Sequence, residues 1–115
     1  MLKKLRVGIA GFGVVGRRRK KYLDAHPNAE VIAVYDIGFE TKTKLVEGAK
    51  AFHSFNGLID EDLDALFVCT PNNIAPEITI KALCSGFHVF CEKPLCLTTE
   101  ELEKIKGRFF LAETN

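Results

Sequence analysis

Short apolar runs alternate along the chain with stretches whose apolar positions recur at helical spacing. The runs are LRVGIAG at 5–11, EVIAVYD at 30–36, DALFVCT at 64–70 and FHVFCEKP at 87–94. Each is apolar almost throughout instead of alternating with polar residues, which suits strands of a parallel sheet covered on both faces. Helices are predicted at 14–25, near 40–48, at 74–85 and at 98–106, with two weaker strands at 50–55 and 108–115. Punctuation supports these bounds: His26 precedes Pro27, Gly86 follows the third helix, and TTEE at 98–101 offers a capping threonine with early carboxylates. Strands alternating with helices predict an α/β fold. With no linker, internal repeat or low-complexity segment, residues 1–115 are read as one domain.

The first strand ends in VGIAGFGVVG, where burial calls for side chains and yet glycine recurs. Gly11, Gly13 and Gly16 have GxGxxG spacing between a strand and a helix. In that context the first glycine permits a tight turn, the second lets a pyrophosphate approach the backbone, and the third lets helix and strand pack closely. The helix N-terminus then offers unpaired N–H groups and partial positive charge to phosphates. The whole loop, Gly11, Phe12, Gly13, Val14, Val15 and Gly16, is therefore a candidate cofactor-binding segment. Asp36 ends the second strand twenty residues beyond Gly16, where a carboxylate accepts hydrogen bonds from an adenosine ribose. It would repel a 2′-phosphate, and no arginine comes directly after it, so the pattern favours NAD over NADP. Lys42 and Lys44 keep NADP open. The predicted fold is a Rossmann-type, doubly wound, mainly parallel sheet with helices on both faces.

Composition narrows the setting. Sixteen basic against 15 acidic residues give a net charge of +1, which offers no global attraction to nucleic acid or anionic membrane. No segment approaches the roughly 18 to 20 apolar residues of a membrane span. The basic start before an apolar run imitates a signal peptide but lacks a small-residue cleavage site. Cys69, Cys84, Cys91 and Cys96 have no CxxC spacing and read as reduced, structural thiols, pointing to the cytoplasm. His26, His53 and His88 have no partner at ligand spacing, so no metal site is expected. The run RRRKK at 17–21 spans more than one helical turn, so at least one cation must lie near the face that packs on the sheet, its stem snorkelling outward. A charge run is usually a solvated face, and no nucleic-acid partner is expected.

Two further stretches, VCTPNNIAPEITIKAL and GFHVFCEKPLCLT, join VGIAGFGVVGR and EVIAVYD in a specific pattern. Together they make the chain resemble the nucleotide-binding domain of the glucose–fructose oxidoreductase, inositol dehydrogenase and MocA family. The resemblance implies an NAD(P)-dependent oxidoreductase that passes hydride between the nicotinamide and a sugar- or cyclitol-like substrate. It implies that Thr70, Pro71 and Asn72 form the loop beside the cofactor's ribose and nicotinamide side. It also implies that Glu92 and Lys93 of the EKP motif act at the reaction centre. Lys93 would hydrogen-bond the substrate hydroxyl, and Glu92 would orient Lys93 or touch the nicotinamide ribose.

The family's second, substrate-binding domain has no counterpart in these residues, so the chain is expected to bind cofactor without being catalytically complete. Sugar or polyol binding would then require a second domain. Apolar Phe109, Phe110 and Leu111 would be left exposed and favour a homo-oligomer. The alternative is a non-catalytic NAD-binding or protein-interaction module.

Overall fold

The computed structural model describes residues 4–71 and 73–91. Strand β1 (Leu5–Ala10) leads into helix α1 (Val14–Ala25), followed by β2 (Ala29–Tyr35), β3 (Leu45–Val46), β4 (Ala49–Phe52) and α2 (Phe55–Ile59). Strand β5 (Ala65–Val68), helix α3 (Ala75–Cys84) and strand β6 (His88–Cys91) complete the described elements. The strands form one sheet in the order β3-β4-β2-β1-β5-β6, parallel except where β3 meets β4. From β1 the chain steps outward through β2 to the β3–β4 edge, then returns to the other side of β1 with β5 and β6. The direction of winding therefore reverses between β1 and β5, and such a reversal opens a crevice at the carboxyl ends of the strands.

Each face of the sheet carries its own core. Val7, Ile9, Val31, Val34, Ala49 and Ala51 are buried on the α1 side. Ala10, Ala33, Leu66 and Val68 meet Leu58 of α2, Leu63, and Ala75, Ile78 and Ala82 of α3 on the other. Burying a side chain such as Ile9 or Leu66 contributes about 1.5 to 3 kcal/mol, which is why the central strands tolerate almost no polar residue. Helix α3 starts with Pro76 in its first turn and ends in a left-handed Gly86 (φ +88°). There the Gly86 N–H donates to the Leu83 carbonyl and the Phe87 N–H to the Ala82 carbonyl. This Schellman arrangement satisfies carbonyls that the helix end would otherwise leave bare.

The helix expected near 40–48 does not form. Residues 45–52 instead make a tight antiparallel hairpin, Leu45 opposite Lys50 and Val46 opposite Ala49, with Glu47 (φ +49°) and Gly48 (φ +84°) as its two central residues. Two consecutive positive φ angles match the right-handed twist of the strands they join. Apart from Leu45 and Val46 the predicted segment has no apolar stripe to bury, so a helix there would have gained little from packing. The weak strand expected at 50–55 is shorter than predicted. Ser54 caps α2, its hydroxyl accepting from the Asn56 N–H, so Phe55 begins a helix that the strand prediction had absorbed. The predicted helix at 98–106 and strand at 108–115 lie outside the described residues.

Helix α1 supports the unusual hairpin. Its sheet-facing stripe is Gly16, Arg19, Lys20 and Leu23, of which Gly16 and Lys20 are buried. Lys20 is 5% exposed; its ammonium bonds the Asp24 carboxylate one turn on and donates to the Glu47 carbonyl at 2.9 Å. Arg17 donates to the Glu47 carboxylate at 2.8 Å. Glutamate in the left-handed region is strained, and here its backbone and its side chain are each held by a cation from α1. Arg19 lies over the Phe90 ring, 5.7 Å from its centroid. The basic run thus spends Arg17, Arg19 and Lys20 on intramolecular contacts, and Lys20 is the buried cation on the sheet-facing side; its ammonium does not snorkel to solvent as expected, because Asp24 and the Glu47 carbonyl receive it within the fold.

Replacing Lys20 by alanine should lower stability by about 1 to 3 kcal/mol in urea unfolding, because it removes a buried stem and unpairs the Glu47 carbonyl. Replacing the exposed Arg18 by alanine should change it by less than about 0.5 kcal/mol. Equal losses for the two variants would contradict a structural role for the run.

Candidate functional site

Strand β1 ends by pressing its backbone against the end of β5. The Gly11 N–H donates to the Tyr35 carbonyl at 2.7 Å, and the Cys69 N–H donates to the Ala10 carbonyl at 2.7 Å. A Cβ on Gly11 would lie 2.6 Å from the Cys69 carbonyl carbon and 2.7 Å from the Thr70 nitrogen, and its φ of +93° also excludes ordinary side chains. A Cβ on Gly16 would lie 2.0 Å from the Gly11 carbonyl oxygen. These two glycines are demanded by the protein itself. Gly13 differs: a Cβ there would meet no atom of the described residues within 4 Å.

Gly13 is the N-cap of α1, in extended conformation, with no side-chain cap and no acidic residue in the first turn. The first backbone N–H groups of the helix have no intrahelical acceptor. Gly13, Val14 and Val15 line a cleft of about 420 Å³ above the ends of β1, β2 and β5. That volume is within the usual range for small-molecule sites. Its other walls are Tyr35, Asp36 and Ile37 after β2, and Cys69, Thr70, Pro71 and Ile74 after β5.

Asp36 ties two of these walls together. One carboxylate oxygen accepts from the Phe12 N–H at 2.7 Å and the other from the Gly38 N–H at 2.8 Å. Each oxygen retains acceptor capacity, so the group can still receive hydroxyl donors from a ligand. Asp36 is the one charged residue lining the cleft among the described residues. Phe12 is 3% exposed, its ring edge-on to Phe39 at 6.1 Å and beneath the Arg17 guanidinium at 4.5 Å. Its side chain therefore belongs to the core, and the loop presents only its backbone to Asp36.

Across the cleft, the Thr70 hydroxyl oxygen is buried and has no hydrogen-bond partner among the described residues. Leaving a polar group buried in this state costs about 1 to 3 kcal/mol, which a ligand able to bond it would recover. The Pro71 carbonyl accepts from the Ile74 and Ala75 N–H groups, both at 3.1 Å, and so fixes the loop to the start of α3. Burial, reinforced by the adjacent Asp36 carboxylate, raises the Tyr35 phenol above its ordinary value of 10.0.

The structure thus brings Gly11, Gly13, Val14, Val15, Asp36, Thr70 and Pro71 to one cleft, with Gly16 directly behind it. Asn72, Glu92 and Lys93 lie outside the described residues. Tyr35, Ile37, Cys69 and Ile74 line the cleft although motif reasoning did not select them. For Ile37 a signal existed, since an apolar residue with glycine next to it, directly after the end of a strand, has nowhere to be buried.

A second cleft of about 430 Å³ lies beside the β3–β4 edge, with Lys44, Lys50 and His53 on its rim. Among the described residues no three histidine, cysteine, aspartate or glutamate side chains cluster as metal ligands, and no helix is long and apolar enough to cross a membrane.

Comparison with known proteins gives one consistent answer. Residues 5–109 match the model of an oxidoreductase family with NAD-binding Rossmann fold. The chain is 35% identical over 103 residues to the glucose-6-phosphate 3-dehydrogenase of Bacillus subtilis (strain 168), covering 88% of this chain and 29% of that enzyme. It is likewise 35% identical over 105 residues to an inositol 2-dehydrogenase of Pseudomonas savastanoi pv. phaseolicola, covering 84% of this chain and 30% of that one. The WlbA dehydrogenase of Bordetella pertussis, solved with NADH and UDP-GlcNAcA, superposes with a TM-score of 0.87 at 25% identity over 96% of this chain and 35% of its own. A mutant of KijD10, a 3-ketoreductase of Actinomadura kijaniata solved with TDP-benzene and NADP, gives 0.84 at 26% identity over 96% and 36%. The chain spans about a third of the length of the relatives it matches.

The geometry carries two expected outcomes. Gly16→Ala should cost at least about 1 to 3 kcal/mol by overpacking against backbone, whereas Gly13→Ala should stay within about 0.5 kcal/mol; thermal unfolding of both variants checks this. The Tyr35 contribution to stability is complete below pH 10.0 and is lost as pH rises through the higher folded value, so Tyr35→Phe should flatten the alkaline loss measured by unfolding across pH.

Proposed function

Because the chain belongs to the Gfo/Idh/MocA oxidoreductase family, NAD-binding Rossmann fold, we propose that it binds NAD in the cleft above β1, β2 and β5. In this reading it serves an oxidoreductase acting on a sugar- or cyclitol-like substrate. The observation that carries the proposal is Gly13. Gly11 and Gly16 are bare because the protein's own backbone occupies the space, but no atom of the described residues approaches Gly13. A pyrophosphate against that backbone accounts for the glycine, and the α1 amides and partial positive charge would receive it.

The rest of the cleft suits the same ligand. Asp36 would accept from the adenosine ribose hydroxyls, and the buried Thr70 hydroxyl would gain the partner that the described residues do not give it. NAD is preferred over NADP because, among the described residues, the cleft lining contains one carboxylate and no lysine, arginine or histidine to receive a 2′-phosphate. Lys42, one of the two lysines that kept NADP open, pairs with Glu40 at 3.5 Å, and Lys44 lines the second cleft.

The nicotinamide supplies the chemistry by accepting or returning hydride. This chain's residues hold and orient it. Lys93 and Glu92 retain their proposed roles from the family resemblance, Lys93 as the hydrogen-bond partner of the reacting hydroxyl. The dehydrogenase names of the relatives support a sugar or cyclitol substrate class.

Gly13→Val should abolish saturable NAD binding in calorimetry while the circular dichroism spectrum is retained; unchanged affinity would overturn the proposal. Asp36→Ser should weaken NAD binding and narrow its advantage over NADP. An unsubstituted chain that binds NADP more tightly would contradict the assignment of Asp36.

A further inference from the structure

Resting on that dinucleotide reading, we infer that Arg17 is a positioning residue for the loop that faces the pyrophosphate, and that the β3–β4 hairpin, through Glu47, sets the chain's affinity for NAD. Neither Arg17 nor Glu47 lines the cleft, so both act through the residues they hold. The loop needs holding. In Gly11-Phe12-Gly13 only Phe12 has a side chain, and glycine on either side leaves the backbone its greatest freedom. A ligand received by backbone amides loses affinity to such freedom unless the loop is fixed beforehand.

Arg17 fixes the loop at both of its last residues. Its backbone N–H donates to the Gly13 carbonyl at 3.0 Å, and its guanidinium lies over the buried Phe12 ring, 4.5 Å from the centroid. That distance is within reach of a cation–π attraction. A surface arginine left alone would sample many rotamers. Here the Glu47 carboxylate accepts from Arg17 Nη1 at 2.8 Å and gives the guanidinium its direction. Both partners of this pair are about half exposed, and exposed pairs add little to stability. The consequence is geometric. Lys20, donating to the Glu47 carbonyl, pins the hairpin tip against α1, Glu47 directs Arg17, Arg17 covers Phe12, and the Phe12 N–H donates to the Asp36 carboxylate at 2.7 Å. A contact outside the cleft thereby sets the backbone inside it.

The test uses the 115-residue chain and three variants. Glu47→Asn creates Asn-Gly, a favoured pair for a two-residue hairpin turn, and should not lower the thermal midpoint. By charge alone, losing a carboxylate would tighten binding of an anionic pyrophosphate. Positioning predicts the opposite sign, a fall in NAD affinity of about three- to tenfold in calorimetry. Arg17→Gln should weaken NAD by about tenfold, whereas Arg18→Gln, which removes the same charge from the exposed neighbouring position, should change it less than about twofold. In the ligand-free Glu47→Asn chain the Phe12 amide resonance should shift, a readout that needs no cofactor. Unchanged or tighter NAD binding by Glu47→Asn, equal losses for Arg17→Gln and Arg18→Gln, or an unmoved Phe12 amide would each overturn the inference and leave the cofactor assignment standing. Should Glu47→Asn fail to fold, the comparison of Arg17→Gln with Arg18→Gln decides alone. If the unsubstituted chain binds no NAD, the cofactor reading fails and the inference with it.

Discussion

The fold's site depends on one close approach, that of the α1 backbone to the elbow leaving β1. Gly16 sits so near the Gly11 carbonyl that a Cβ would come within 2.0 Å of it, and a Cβ on Gly11 would come within 2.6 Å of the Cys69 backbone and 2.7 Å of the Thr70 nitrogen. Three chain segments are thereby drawn to one point at the carboxyl end of the sheet, where the winding of the strands reverses. The start of α1 is aimed into the space between the ends of β1, β2 and β5 because no side chain separates them. The cleft, its amide donors and the bare surface at Gly13 all result from this packing.

Asp36 is the second constraint, acting across the sheet. Its carboxylate receives the Phe12 N–H from the glycine loop and the Gly38 N–H from its own turn. The Phe12 ring beneath, held between Phe39 and the Arg17 guanidinium, keeps the loop and the turn in register. Arg17 also reaches Glu47, so the edge hairpin, the start of α1 and the Asp36 carboxylate belong to one contiguous set of contacts. A segment that a doubly wound sheet would ordinarily give to a crossover helix is here a hairpin. The cations of α1 hold it in place.

Much of this was legible in the residues. Helix α1 spans the predicted 14–25, and strands β1, β2, β5 and the described part of β6 fall inside or within one residue of their apolar runs. Gly86 stops α3 as its position promised. The features that could not be read depended on distant partners. The Glu47–Gly48 turn carries no asparagine or aspartate to announce left-handed backbone, and its stability comes from Lys20 and Arg17, some thirty residues earlier. Phe12 occupies a variable place in the glycine motif, so the motif does not reveal that its ring is core. Ile37 is different: the spacing rule stops at Asp36, but an apolar residue next to glycine directly after a strand end was itself a readable signal.

The central claim is that the cleft over β1, β2 and β5 receives NAD through the backbone around Gly13, with Asp36 at the adenosine end. The most direct measurement is a titration of the isotopically labelled chain with NAD, monitored through the backbone amide resonances. The account predicts saturable shifts at Gly13, Val14, Val15, Asp36, Ile37 and Thr70, with Lys44, Lys50 and His53 around the second cleft unmoved. Absence of shifts at Gly13–Val15 under saturating NAD, or shifts confined to the second cleft, would contradict it.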